Sequence, residues 1–85
     1  MFEVRLTPQA EHAYTHLGSV TRERVDRVFE QLEQSNFRHR NIRALRGRYA
    51  GSLRYRLGNW RIVFRVDYAN RVVWIEAITT RGGAY

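Results

Sequence analysis

All fifteen of the cationic side chains counted as lysine or arginine are arginine, and their placement carries most of the chemistry this chain offers. The run "SLRYRLGNWRIVFRV", residues 52–66, sets Arg54, Arg56, Arg61 and Arg65 among eight large apolar side chains. Arginine holds its charge at any working pH, and its planar fork suits bidentate contact with phosphate oxygens. It can bind or stabilise an anion, but it cannot serve as a base. Residues 1–35 sum to −2, whereas residues 36–85 hold eleven arginines against Asp67 and Glu76 and sum to +9. A step of that size within a short chain points to a polyanionic partner on one side.

Other reactive residues form weaker patterns. His12 and His16 stand four apart on one helix face, a spacing that can bind metal, but no third ligand is evident. Ser19, Ser35 and Ser52 lack a His–acid partner in any recognisable motif, and Gly82-Gly83 is not followed by the helix a phosphate loop needs. No pair of carboxylates suited to hydrolysis occurs in the basic half. The chain has no cysteine, so neither disulfides nor thiolate metal sites arise. No metal, small-molecule cofactor or membrane is called for.

The elements that must hold the arginines can be read from periodicity. In "FEVRL", Phe2, Val4 and Leu6 alternate with charges as in a half-buried strand. Thr7 and Pro8 are a cap and first residue for a helix whose stripe is Ala10, Ala13, Tyr14 and Leu17, ended by Gly18. Val25, Val28, Phe29 and Leu32 repeat that spacing in a second helix over about 20–34. Residues 35–51 read as irregular, and their basic run makes Arg46 and Arg48 candidates for RNA contact. Three strands follow, at about 53–57, 60–66 and 71–79, with "GN" and "DYAN" as turns. The order is β-α-α-β-β-β, an α+β class with two helices on one face of an antiparallel sheet.

A two-residue loop at Gly58-Asn59 fixes the hairpin register. Leu57 then faces Trp60, Arg56 faces Arg61, Tyr55 faces Ile62, Arg54 faces Val63 and Leu53 faces Phe64. One face carries Leu53, Tyr55, Leu57, Trp60, Ile62, Phe64 and Val66; the other carries Arg54, Arg56, Arg61, Val63 and Arg65. The last strand should add Val73, Ile75 and Ala77 to the core and Val72, Trp74 and Glu76 to the arginine face. Opposed arginines cost on the order of 0.2–1 kcal/mol per pair, so packing alone does not call for them. Either Glu76, near Arg61, neutralises the cluster while the long side chains splay into water, or the cluster awaits phosphates. In the second case Trp74 or Tyr55 could stack on bases.

Eighty-five residues with 44% apolar and 13% aromatic side chains make a single domain over 1–85 and argue against disorder. The start "MFEVRLTPQAE" reads as neither a signal peptide nor a membrane span, so a soluble cytoplasmic protein is expected.

Three segments together resemble the RelE/ParE superfamily, bacterial toxins of type II toxin–antitoxin pairs. "MFEVRLTPQAEHAYTHL" is similar to the family's first strand and helix, and "IRALRG" to its segment ahead of the sheet. "YRLGNWRIVFRVDYANRVVWIEAITTRGGAY" resembles its arginine-rich core and R-x-x-x-Y tail. The resemblance implies a ribosome-dependent mRNA endonuclease in which the substrate's 2′-hydroxyl attacks the adjacent phosphate, without a metal, to leave a 2′,3′-cyclic phosphate. It implies a cognate antitoxin, the ribosome and mRNA as partners. By position, Arg61 resembles the arginine that stabilises the phosphorane, Arg81 the stabiliser or acid at the leaving oxygen, and Tyr85 the terminal base or stacking residue. Arg54 and Arg56 fall where basic residues contact RNA, with Arg65 and Trp74 on the same expected face. Thr80 departs from the histidine or lysine often found before Arg81. Two other readings share the fold: a ParE-like gyrase poison, and a non-catalytic protein that only binds RNA or an antitoxin.

Overall fold

The computed structural model describes residues 1–80; the expectations for Arg81, Gly82-Gly83 and Tyr85 lie outside the described residues. Alternation of Val4 and Leu6 with Glu3 and Arg5 produces β1 (Glu3–Leu6). Thr7 caps α1 (Pro8–Thr15) by accepting a hydrogen bond from the Ala10 N–H at 3.2 Å, with Pro8 in the first turn, where its missing N–H costs nothing. Gly18 is the N-cap of α2 (Ser19–Glu33), and Leu17 fills the core from the short connection between the helices. Val25, Val28 and Leu32 form the buried stripe of α2. Tyr14 on α1 donates to Asp26 Oδ1 on α2 at 2.6 Å, tying the helices together and raising the tyrosine's pKa by that bond first and burial second.

Strands β2 (Ile42–Ala44), β3 (Leu53–Leu57), β4 (Trp60–Asp67) and β5 (Val72–Thr80) complete a five-stranded sheet ordered β1-β5-β4-β3-β2. Leu32, Phe64, Ile62, Ile75, Val25 and Val73 are fully buried between sheet and helices. The α+β architecture with helices on one face is the expected one. Two features differ. The sheet is mixed, not antiparallel throughout, because β1 runs parallel to β5; the two-helix crossover gives the chain room to return in the same direction. Within the stretch read as irregular, Ile42–Ala44 adds an edge strand against β3, and Gly47–Tyr49 makes one turn of 3₁₀ helix. Three residues that include an arginine give too little alternation to announce a strand; the open edge of β3 supplies the template.

The β3–β4 register is the one the two-residue loop dictates, from Leu53 opposite Phe64 to Leu57 opposite Trp60. Gly58 has φ +61° while Asn59 stays out of the left-handed region, the pattern of a type II′ turn. A Cβ at Gly58 would also lie 3.3 Å from the Arg24 guanidinium, a flexible group that can yield. Gly58→Ala should therefore lose stability mainly through backbone strain, about 1–2 kcal/mol. Urea denaturation measures it; an unchanged midpoint would show that the turn relaxes at no cost.

The β4–β5 ladder slips once. Val63 faces Ala77 and the next residue, Phe64, faces Ile75, so Glu76 is the extra residue of a β-bulge. The slip reverses the phase of β5 beyond it. Ile78 joins Ile62 in the core, and Ala77 moves to the arginine face beside Val63, against the sequence expectation that Ala77 is a core residue.

Candidate nucleic-acid interface

The sheet face away from the helices can be built row by row from the register. Arg43 on β2 stands opposite Arg54 on β3, and Arg54 in turn faces Val63, which faces Ala77. One row further, Arg56 faces Arg61, and Arg61 faces Thr79. Rows on the same face repeat about every 7 Å. Four arginines from three neighbouring strands therefore share a patch only two rows deep. The arrangement contains two opposed like-charge pairs, Arg43–Arg54 as well as Arg56–Arg61. The first pair was hidden from sequence reasoning because β2 was; Arg43 is the functional candidate that reasoning missed. Arg54 Nη1 donates to the Asn41 carbonyl at 3.4 Å, which draws its guanidinium toward the β2 edge. Arg54 and Arg61 are partly covered, and Arg43 and Arg56 are exposed.

A neighbouring group sits on the other side of the bulge. Glu76 Oε1 accepts a 2.6 Å hydrogen bond from Ser52 Oγ, while its Oε2 lies 3.7 Å from Arg65 Nε. Arg65 Nη2 donates to the same Ser52 oxygen at 3.2 Å. Gly51, at φ +95°, lies directly beneath that guanidinium: a Cβ there would be 2.9 Å from Arg65 Nη1. Glu76 is thus the partner of Arg65 and not, as its sequence position had indicated, of Arg61; the bulge takes it out of the ladder and leaves Thr79 beside Arg61.

Arg46 and Arg48 are exposed on the 3₁₀ segment, with the Arg48 guanidinium 5.9 Å from the Tyr49 ring centre. Trp74 pairs with Arg65 on one side and Arg5 on the other, and Arg5 lies 5.9 Å from its ring centre. Five residues along β5 separate Trp74 from Thr79, roughly 16 Å, so the indole is not brought to the Arg56–Arg61 row. Tyr55 is buried on the core face, stacked 5.4 Å from His39 and donating to Gln31, and offers no ring to a base. His12 and His16 lie 4.3 Å apart, ring centre to ring centre, and among the described residues no three His, Cys, Asp or Glu groups converge to hold a metal ion. No helix of the described residues is long and apolar enough to cross a membrane. Arg81 and Tyr85 lie outside the described residues.

This arginine-rich sheet face, backed by two helices, coincides with a known sequence family. The model of the family described as "ParE toxin of type II toxin-antitoxin system, parDE" matches residues 4–85. The chain belongs to this family. As a RelE/ParE-family toxin it also has relatives among solved structures. The toxin–antitoxin complex RelBE2 from Mycobacterium tuberculosis is 25% identical, with 94% of this chain and 98% of that one covered at a TM-score of 0.79. An archaeal RelE–RelB complex from Pyrococcus horikoshii is 24% identical, with 98% of each chain covered at a TM-score of 0.81. A YoeB/ParE toxin from Agrobacterium tumefaciens is 15% identical over 93% of this chain and 98% of that one, at a TM-score of 0.81. The last two likenesses speak for the fold alone. No curated protein sequence matches the chain. The toxin's RelE-like architecture, helices on one face and a twisted mixed sheet beneath, is thus common to family members of widely different sequence.

Proposed function

We propose that this RelE/ParE-family toxin is a ribosome-dependent mRNA endonuclease of the cytoplasm. The observation that carries the reading is the two-row patch of Arg43, Arg54, Arg56 and Arg61, which gathers four guanidinium groups from three neighbouring strands on one sheet face. In the reaction, the 2′-hydroxyl oxygen of one nucleotide attacks the adjacent phosphorus while the bond to the 5′-oxygen of the next breaks. A 2′,3′-cyclic phosphate and a 5′-hydroxyl end result, one proton leaving the attacking oxygen and one reaching the departing oxygen. Charge builds on the phosphorane oxygens, and a fixed guanidinium there lowers the barrier more than it stabilises the substrate. Arg61, on the central strand β4, is assigned that role. Arg54 and Arg56 hold flanking phosphates, with Arg46 and Arg48 bordering the RNA path, Arg65 beside it in its pair with Glu76, and Trp74 at its far end. Arg81 is assigned to the leaving oxygen and Tyr85 to the proton from the 2′-hydroxyl; these two rest on the family's tail motif.

A cognate antitoxin with an acidic segment would cover the same face, in keeping with the RelBE2 toxin–antitoxin complex among the relatives. Mapping mRNA ends after adding purified toxin to a translation extract tests the reading, codon-boundary cuts being the expected result. Intact mRNA together with inhibited gyrase supercoiling would favour the second reading, a gyrase poison, to which the family's ParE description points.

The electrostatic part has its own check. Affinity for single-stranded RNA should fall with salt, and Arg54→Ala should make the log–log slope shallower by about 0.7, one phosphate contact's worth. An unchanged slope would remove Arg54 from the phosphate track.

A further inference from the structure

Between the 3₁₀ segment and the bulge lies a cleft of about 470 Å³, within the range of small-molecule sites. Its floor is apolar, made of Val63 and Ala77, both buried. Tyr49 and Arg48 line it from the 3₁₀ segment, and Ser52, Arg65 and Glu76 line it from the sheet. The bulge creates this wall, since Glu76 is the residue that the ladder leaves over.

A carboxylate is out of place on a surface for phosphate. The other acid in the basic half, Asp67, is tied into the β4–β5 turn by the Asn70 side chain and backbone N–H. Glu76 instead borders the cleft and is held there: Ser52, only 2% exposed, donates to one oxygen, and Arg65 approaches the other. A carboxylate offers about four acceptor positions. Ser52 takes one position on Oε1, and Arg65, 3.7 Å from Oε2, stands at ion-pair and not hydrogen-bond distance, so acceptor capacity remains on both oxygens. A phosphate brought to that edge would be repelled, whereas a neutral base with two adjacent N–H donors would be bound. Among the four RNA bases only guanine presents such a pair, N1–H beside N2–H; adenine and cytosine set an amino group beside an acceptor, and uracil has a single N–H between two carbonyls. Unpaired bases are generally read in this way, by edge hydrogen bonds with a side chain against the ring.

We propose that the cleft receives one unpaired guanine of the RNA and that Glu76 is the specificity-determining residue that reads it, with Ser52 and Arg65 fixing its carboxylate. The inference rests on the arginine face being an RNA surface, and adds to it a division of labour: phosphates on the Arg43–Arg61 rows, one base beyond the bulge.

The test measures fluorescence anisotropy of labelled 2′-O-methyl oligouridylate hexamers carrying a single guanine, inosine or adenine; the methyl group removes the nucleophile. The guanine hexamer should bind the wild-type toxin about tenfold more tightly than the inosine hexamer, which lacks the N2 amino group, and than the adenine hexamer. Glu76→Gln, with its melting temperature measured alongside, should bind all three equally and keep its salt dependence. Because the inosine comparison uses unaltered protein, it decides the matter even if the variant does not fold. Equal wild-type affinity for the three RNAs would overturn the guanine site while leaving the RNA surface standing. Absence of binding to any of them would overturn both.

Discussion

Replacing Arg61 with alanine should lower mRNA cleavage by about 10²–10³-fold while leaving the protein as stable as before. The size follows from removing one preorganised charge donor at developing negative charge. The preservation of stability follows from the side chain's place. Arg61 stands opposite Arg56 on the hairpin and outside the core cluster between sheet and helices, so its truncation opens no cavity there. Arg61→Lys should recover part of the rate, because the charge returns without the two-pronged geometry. The measurement is the yield of codon-boundary ends in a translation extract, set against a urea melt of the same protein. Wild-type cutting by Arg61→Ala would sink the assignment, and equal losses of rate and stability would mark Arg61 as a structural residue.

The largest expected loss of stability comes from Phe64→Ala. Phe64 is fully buried at the point where the ladder slips, so its ring packs on the core side of the bulge. Truncating a buried phenylalanine costs about 3–5 kcal/mol, and domains of this size hold only about 5–15 in all. The melting temperature should fall by roughly 4–8 °C for each kcal/mol lost, enough to leave much of the population unfolded at 37 °C. Val20→Ala, at a position 71% exposed, is the control and should stay within about 0.5 kcal/mol of wild type. Equal denaturation midpoints for the two variants would mean that the packing around the bulge is loose enough to collapse onto the gap.

What could be read from the sequence divides at that bulge. The β3–β4 hairpin was legible to the residue, because a two-residue Gly-Asn loop leaves one register open and the alternation on both strands agrees with it. The helices were legible from the spacing of Ala10, Tyr14 and Leu17 and of Val25, Val28 and Leu32. Gly18 was read as the first helix's ending, but that helix stops at Thr15 and Gly18 is the N-cap of the next. On β5 the alternation runs unbroken through Glu76, and nothing in "VVWIEAITT" announces that one residue will leave the ladder. Hence Ala77 was placed in the core and Glu76 beside Arg61. The parallel β1–β5 pair and the short β2 depend on contacts between distant segments, which local pattern does not encode. Of the site, the Arg54, Arg56 and Arg61 rows followed from the hairpin, whereas Arg43 and the Ser52–Glu76–Arg65 group needed the whole sheet.

The strand order has a consequence for how the toxin comes into being. β5 lies between β1 and β4, so among the described strands the last in sequence joins the first to the rest. During synthesis the helices and the β3–β4 hairpin can form locally, but β1 has no partner until residues 72–75 emerge. The sheet closes late, and with it the cleft wall supplied by Glu76 and the Thr79 neighbour of Arg61. One strand thus holds the sheet together, and loosening β5 would open the β1 edge and the Arg61 row at once.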